Sequence, residues 1–437
     1  MCHIVATTEG GSWVFEQLRG LRDRHGMEVS AIVSGDSGRL VDQLRSEAIP
    51  FLAWDFGMQY GDLRALRSRI LGLARLLRRE RFDVVQTHVF PTMMVGRIAA
   101  WLADVPLRLA MIAGPFHLQA QASRAIDRDT CFMDHVLIAS CELTRRIYRD
   151  LAVPERRLAL VYYGPDPRRF DPETTTGAGL RAEFGWPADT PIVGMVAYFY
   201  PRLKSVPWVP PELWERGVKG HEDLVQAARI VLQERPETKF LFVGRGFTEG
   251  GEEYQRDVAE LVRSLGLSSS VVFAGHRTDV ASVLRDLDVS VQASLNENLG
   301  GTLESLFMAR PTVATRVGGM VDSVRDGETG ILVRPSDPAD LARGILDLLR
   351  DPDRARELGR AGRRLMLERF TLERTVDDLA ALYTRELRQR ARGFRYTRSA
   401  LRAAAAVPLA SYLAFRLRSP EHKALGVWDR LRFPRGC

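Results

Sequence analysis

Two doubly wound, Rossmann-like α/β domains are predicted by three observations. Short apolar runs alternate with amphipathic helical patterns through the chain, which argues for parallel sheets with helices on both faces. At 437 residues the chain exceeds one ordinary core and suits two. Between the halves lies Asp171-Pro-Glu-Thr-Thr-Thr-Gly-Ala-Gly179, a polar segment rich in helix breakers, with the linker over 172–179. The expected division is a first domain over 1–175 and a second over 176–370, then a closing helix over 371–387 and a tail over 388–437.

In the first half, strands are expected over 3–7, 29–34, 51–54, 83–87, 107–112 and 136–139, and helices over 13–25, 38–47, 62–80 and 93–102. Ligands of doubly wound folds bind at the carboxyl ends of strands. Three features fall there. Glu9-Gly10-Gly11-Ser12 opens the first helix without a complete GxGxxG, so a dinucleotide site is not supported. Gly11 can approach a phosphate, and an ordinary tight turn is the alternative. Gln86-Thr87-His88 ends the fourth strand, and Ala113-Gly114-Pro115-Phe116-His117 follows the fifth. A histidine can act near neutral pH, though a lone one is more often a structural or surface residue. The segment Val161-Tyr-Tyr-Gly-Pro-Asp-Pro-Arg-Arg-Phe170 is a turn cluster closing this half.

In the second half, strands are expected over 191–197, 239–243, 271–274, 289–293 and 312–315, with helices over 222–233, 303–309, 337–349, 351–368 and 372–388. The centre is Val291–Pro335. Its strand gives way to Asn296-Glu297-Asn298-Leu299-Gly300-Gly301-Thr302, followed by a short helix that Pro311 stops. Small residues at such a turn let backbone amides approach an anion. Thr302 is the expected cap, which puts Glu304 in the first turn facing the crevice. An ionised carboxylate only accepts hydrogen bonds, so it suits a pair of sugar hydroxyls; a capped βα unit with an acidic first turn is the plainer reading.

Charge is unevenly spread. Residues 388–437 hold twelve Lys and Arg against two acids, a surplus of +10 against a whole-chain charge of +7, which leaves −3 for residues 1–387. The body is therefore no nucleic-acid surface. Cys2, Cys131, Cys141 and Cys437 show neither CxxC nor metal-ligand spacing. Cys131 and Cys141 read as buried free thiols of a reducing compartment. The apolar run 2–7 is too short for a signal peptide. The run 401–415 contains Arg402, Pro408 and Ser411, so it suits no bilayer span. The body is expected to be cytoplasmic. The tail adds Leu401, Val407, Leu409, Tyr412, Leu413, Phe415 and Trp428 to its arginines, a composition that suits a peripheral anchor on an anionic membrane. A helix packed on the body, or a disordered end, is the alternative.

The run from Glu304 through Pro311-Thr-Val-Ala and Gly318-Gly319 to Asp326-Gly-Glu-Thr-Gly-Ile-Leu-Val333 resembles the C-terminal signature of retaining GT-B glycosyltransferases of the group 1, family 4-like type. The resemblance covers roughly residues 1–387. It implies two domains facing each other across a cleft and transfer of a sugar from a nucleotide-diphosphate sugar to a saccharide or glycolipid hydroxyl. Retention of configuration, no metal or other cofactor, and a role in cell-surface polysaccharide or glycolipid synthesis are also implied. In that family two glutamates stand eight positions apart, the second on the ribose and the first on the donor sugar. Glu304 matches the second; Asn296 stands at the first, with Glu297 one step off register. The turn Leu299-Gly300-Gly301-Thr302 would border the diphosphate, Gly11 the donor phosphates, and Gly275 and Arg277 the base.

Family members carry an Arg and then a Lys-Gly after the first strand of the second domain. Here Tyr198 occupies the Arg position, residues 201–217 resemble an insertion bearing Trp208 and Trp214, and Lys219-Gly220 resumes the pattern. Lys219 is the expected diphosphate ligand, with Arg202 as a substitute cation because a guanidinium fork matches phosphate oxygens. His117 would face the donor sugar and His88 the acceptor. Two other readings share the architecture: a nucleotide-sugar 2-epimerase, and a catalytically degenerate sugar-nucleotide-binding subunit of a membrane assembly.

Overall fold

The computed structural model describes residues 1–9, 11–56 and 63–391. Its first sheet comprises β1 (Cys2–Val5), β2 (Ser30–Val33), β3 (Phe51–Ala53), β4 (Val84–His88), β5 (Leu107–Ile112), β6 (Val136–Ala139) and β7 (Leu158–Leu160). The second comprises β8 (Ile192–Val196), β9 (Lys239–Val243), β10 (Val271–Gly275), β11 (Val289–Gln292), β12 (Thr312–Thr315) and β13 (Ile331–Val333). The orders are β3-β2-β1-β4-β5-β6-β7 and β10-β9-β8-β11-β12-β13, and every pairing is parallel. Both sheets therefore reverse direction beside their first strand, at β1/β4 and at β8/β11. A crevice opens at each reversal, because the loops on its two sides leave toward opposite faces.

Strand side chains alternate between the two faces, and the cores follow that alternation. Val5 and Val33 join the cluster under helices Ser12–His25 and Arg39–Ser46. Their neighbours Ile4 and Ile32 join the opposite cluster, under helices Leu63–Glu80 and Phe90–Leu102. In the second sheet Val193 and Phe240 face helices His221–Glu234 and Pro338–Arg350, while Ile192 and Leu241 face Thr302–Phe307 and Pro352–Arg369. Near-continuous apolar strands were the sequence signal for sheets covered on both sides.

The last helix, Leu372–Ala391, returns to the first domain. Val376, Leu379 and Tyr383 belong to the core that also holds Val14 and Leu18. Asp377 pairs with Arg24 at 3.0 Å and His25 at 2.8 Å. Several elements were not anticipated: β7 and β13, three residues each, and helices Gln121–Thr130, Glu142–Asp150 and Glu249–Ser264. Strands that short carry too few alternations to stand out from a loop. Cys131 and Cys141 are buried free thiols, as expected, and Cys2 is a third. Cys437 and the basic tail beyond residue 391 lie outside the described residues, as does Gly10. No helix among the described residues is long and apolar enough to cross a membrane.

Among the described residues three histidines are fully buried: His3, His88 and His221. Burial, and a neighbouring positive charge, push His3 and His221 down to about 3, and burial holds His88 well below the ordinary imidazole range. Each is neutral in the folded protein and accepts a proton only on unfolding. Stability is thus complete above the unfolded value of about 6.5 and falls as pH drops from there toward 3, by about 1.4 kcal/mol per pH unit per histidine. Urea midpoints measured from pH 7.5 to 4.5 should fall steeply below pH 6.5 in the wild type. His221→Asn should flatten that slope.

Candidate active site

The β8/β11 crevice gathers its polar groups from two loops. The first runs from the end of β8 to helix His221–Glu234 and ends in Lys219-Gly220. Gly220 adopts φ 71°, and a Cβ there would lie 2.0 Å from the Ala293 carbonyl oxygen. Only glycine lets the loop press this closely onto the end of β11, and that approach carries Lys219 into the crevice. The second loop, after β11, brings Glu297. The Lys219 ammonium and the Glu297 carboxylate form a partly buried ion pair. Burial works against the Lys219 charge, but Glu297 outweighs it and holds the ammonium above its usual pKa. Glu297 also accepts from the Asn298 amide at 3.0 Å and the Ser294 hydroxyl at 3.4 Å.

Glu304 stands in the first turn of Thr302–Phe307, half-buried, and no protein group among the described residues hydrogen-bonds its carboxylate. Burial raises its pKa, Arg169 and then Lys219 pull the other way, and the net shift is upward. A carboxylate left with open acceptor positions near a partly buried lysine is a receptor for hydroxyl donors. Arg169 leaves the turn cluster that closes the first domain. Its neighbour Phe170 shares a core with Leu303 and Phe307, and Arg363 donates to the carbonyls of both Phe170 (at 3.1 Å) and Phe307.

The opposite wall comes from the first domain. The Asn296 amide donates to the Gln119 carboxamide, and the Ser140 hydroxyl donates to Asn298 Oδ1 at 3.0 Å. The Glu142 amide donates to Asp322 at 2.7 Å, so a carboxylate of the second domain caps a helix of the first. Phe116 packs with Leu295 and with Val209, Leu213 and Trp208 of the 201–217 segment. The second-domain loop is thereby held against the ends of β5 and β6.

The structure brings together Lys219, Asn296, Glu297, Leu299, Gly300, Gly301, Thr302 and Glu304, residues the sequence reading selected. Leu299 is buried under the turn, and Gly300 holds φ 55°. Thr302 is a correction. It is the first helical residue rather than the cap, which is Gly301, and its hydroxyl donates back to the Leu299 carbonyl. Arg202 is also placed otherwise than expected for a phosphate ligand. Its guanidinium pairs with Glu222 at 2.7 Å and Asp257 at 3.4 Å, donates to the Glu215 carbonyl at 3.1 Å and lies over the Tyr254 ring. Arg277 is likewise committed, to Glu183 at 2.8 Å and Asp279 at 2.7 Å. Gly275 ends β10 with its α-carbon facing open space.

His88 is fully buried, its ring against His3 and Trp13 and its Nε2 3.2 Å from Gln86 Nε2, so no acceptor reaches it in this conformation. His117 stacks on Phe90 and turns Nε2 toward Asp127, 3.7 Å away. Gly11 caps helix Ser12–His25 at the β1/β4 crevice. The sequence reading missed Gln119, Ser140, Asn298 and Arg169. Nothing in their spacing distinguishes them from ordinary loop residues.

Comparison with known proteins agrees with this geometry. Residues 212–351 match the family described as glycosyl transferases group 1, and residues 9–164 match the glycosyl transferase 4-like domain. The chain is 35% identical over 167 residues to EpsD of Bacillus subtilis, covering 38% of this chain and 42% of that protein. It is 30% identical over 315 residues to a D-inositol 3-phosphate glycosyltransferase of Geodermatophilus obscurus, covering 70% of this chain and 63% of that one. The matches thus span less than two thirds of either relative. Among solved structures, Anabaena HepE in complex with UDP and glucose superposes with a TM-score of 0.70 at 18% identity, covering 88% of this chain and 98% of that one. The shared architecture is the GT-B fold.

Proposed function

Because this chain belongs to the glycosyl transferases group 1, we propose that it transfers a glycosyl unit from a nucleotide-diphosphate sugar to a hydroxyl of a saccharide or glycolipid acceptor. The observation that carries this reading is the Lys219–Glu297 ion pair near Glu304, whose carboxylate no described protein group hydrogen-bonds, at the β8/β11 crevice and against the first domain. Glu304 accepts from the ribose hydroxyls. Lys219 meets the diphosphate, taking its charge partly from Glu297. As the bond from the anomeric carbon to the leaving oxygen breaks, negative charge grows on the diphosphate, and a fixed ammonium in a partly buried site stabilises it more than water does. Asn296 and Glu297 border the donor sugar, and the loops after β4 and β5 border the acceptor.

In this proposal configuration is retained, the donor phosphate takes the acceptor proton, no metal is required, and the product is a cell-surface polysaccharide or glycolipid. The resemblance of residues 296–333 to retaining enzymes supports the first two points. The Geodermatophilus relative is named for a cyclitol phosphate acceptor and HepE was solved with UDP and glucose, so UDP-sugars and polyol hydroxyls are the first substrates to try. A basic tail over 388–437 would hold the enzyme on an anionic membrane where a lipid-linked acceptor lies.

The test is thermal stability with UDP, GDP, ADP, CMP or dTDP, with and without magnesium. A ligand at 100 times its Kd should contribute about 2.7 kcal/mol. One nucleotide should raise the midpoint of the wild type without metal and leave Glu304→Ala unmoved. No response to any of them removes the donor-site reading. Release of epimerised sugar nucleotide with no acceptor present would favour the epimerase instead.

A further inference from the structure

The segment between β8 and Lys219 is built as a rigid arm. Its two ends close on each other. The Leu203 amide donates to the Arg216 carbonyl at 3.0 Å, and the Glu215 amide donates to the Leu203 carbonyl at 2.6 Å. A loop with paired ends and its own packed side chains is a compact Ω-loop, not a slack connection. Pro201, Pro207, Pro210 and Pro211 further restrict the backbone. Two arginines fasten the base to the second domain. Arg202 pairs with Glu222 and Asp257, while Arg216 pairs with Asp223 at 2.9 Å and donates to the Ser336 hydroxyl at 2.8 Å. Within the arm the Trp214 indole N–H donates to the Val209 carbonyl at 3.1 Å. The tip reaches the other domain. There Val209 and Leu213, both buried, share one apolar cluster with Leu295 and with Phe116 of the first domain.

Phe116 opens the short helix Phe116–Gln119 after β5, and the four residues of that turn divide between the domains. Phe116 meets the arm, and Gln119 accepts from Asn296 of the second domain. His117 stacks on Phe90, and Leu118 is buried in the first-domain core. We infer that the 201–217 arm is a positioning element for the reaction, holding the β5 loop at a fixed spacing from the turn after β11. The inference rests on the glycosyl-transfer reading, in which the second domain holds the nucleotide and the loops after β4 and β5 border the acceptor. Transfer needs the anomeric carbon and the attacking oxygen about 3–3.5 Å apart, so the spacing of the two domains governs the rate. Gln119 gives the helix one attachment to the second domain. Phe116, three positions earlier, gives it another, and two points fix its orientation. A substitution at the tip leaves the arginine pairs at the base intact, and with them the approach to Lys219 and the affinity for nucleotide.

The test compares full-length wild type, Leu213→Ala, Phe116→Ala, Phe116→Leu and the double variant Leu213→Ala/Phe116→Ala. Hydrogen exchange is read first, because it needs no substrate. The Leu118 and Gln119 amides donate to the Pro115 carbonyl at 2.9 and 3.1 Å. Leu213→Ala, a change in the second domain, should speed exchange of these first-domain amides about tenfold or more. Calorimetry with UDP, GDP and ADP then identifies the nucleotide, and its glucose conjugate is assayed with polyol acceptors. Leu213→Ala and Phe116→Ala should each bind that nucleotide within about twofold of wild type while kcat falls about tenfold or more. Phe116→Leu should recover most of the rate. The double variant should lose little more than the worse single, since both changes remove one contact. Unchanged exchange in Leu213→Ala, or single losses that multiply in the double variant, overturns the arm and leaves the donor site standing. A loss of nucleotide affinity equal to the loss of kcat also overturns it, marking the segment as packing for the second domain. No nucleotide bound by the wild type overturns the glycosyl-transfer reading and the arm's role in it. Should Phe116→Ala fail to fold, Leu213→Ala decides, because Leu213 lies outside the cores that cover the two sheets.

Discussion

Replacing Lys219 with methionine is expected to lower kcat by about 100-fold or more, the usual cost of removing one group that stabilises developing negative charge. The substitution keeps most of the aliphatic stem and removes the charge that stands 5.7 Å from the centre of the Tyr200 ring. It also leaves Glu297 without its cation, so part of the loss could come from a disturbed loop. A double variant separates the two effects. Lys219→Met with Glu297→Gln removes both charges and should restore the thermal midpoint, because an unpaired half-buried carboxylate costs more than a neutral pair. Turnover should stay low. Recovery of turnover in the double variant would mean that Lys219 serves only to neutralise Glu297 and never meets the diphosphate.

The second large effect is on stability and lies in the first domain. Arg97 is fully buried between Asp127, at 2.6 Å, and Asp134, at 2.5 Å. Thr130 and Tyr148 extend the network, which reaches His117 through Asp127. Burial would raise the Asp127 carboxyl, but Arg97, and after it His117 and Tyr148, hold it well below the carboxylate range. Arg97→Met should destabilise the protein by about 3–5 kcal/mol, because two buried acids lose their shared cation. For a domain of this size the unfolding midpoint should fall on the order of 10 °C. Surface pairs give the contrast: Arg356–Asp353 is a single turn of exposed helix, and Arg356→Ala should change the midpoint by no more than about 1 °C. If Arg97→Met melted like Arg356→Ala, the network would be dispensable packing. The His117 side chain would then owe its position to Phe90 alone.

What the sequence determined by itself is whatever depends on local pattern. Alternating apolar runs gave two parallel sheets, and the breaker-rich segment near residue 175 separated them. The turn 296–302 was legible because an anion-facing loop after a strand end needs small residues, and Lys219-Gly220 because it resembles the family's Lys-Gly pair. What only the tertiary structure decided is which charges are free. Arg202 and Arg277 read as ligand cations, but their partners Glu222, Asp257, Glu183 and Asp279 come from other elements and occupy them. Lys219 meets Glu297 from 78 positions away, and Gln119 meets Asn296 from 177. His88 is at a strand end as predicted, yet Trp13 and His3 cover it. A strand's end can be read from its residues, but the availability of a side chain there depends on what packs over it. Those neighbours are set by sheet order and by the last helix crossing back, neither of which is written in local spacing.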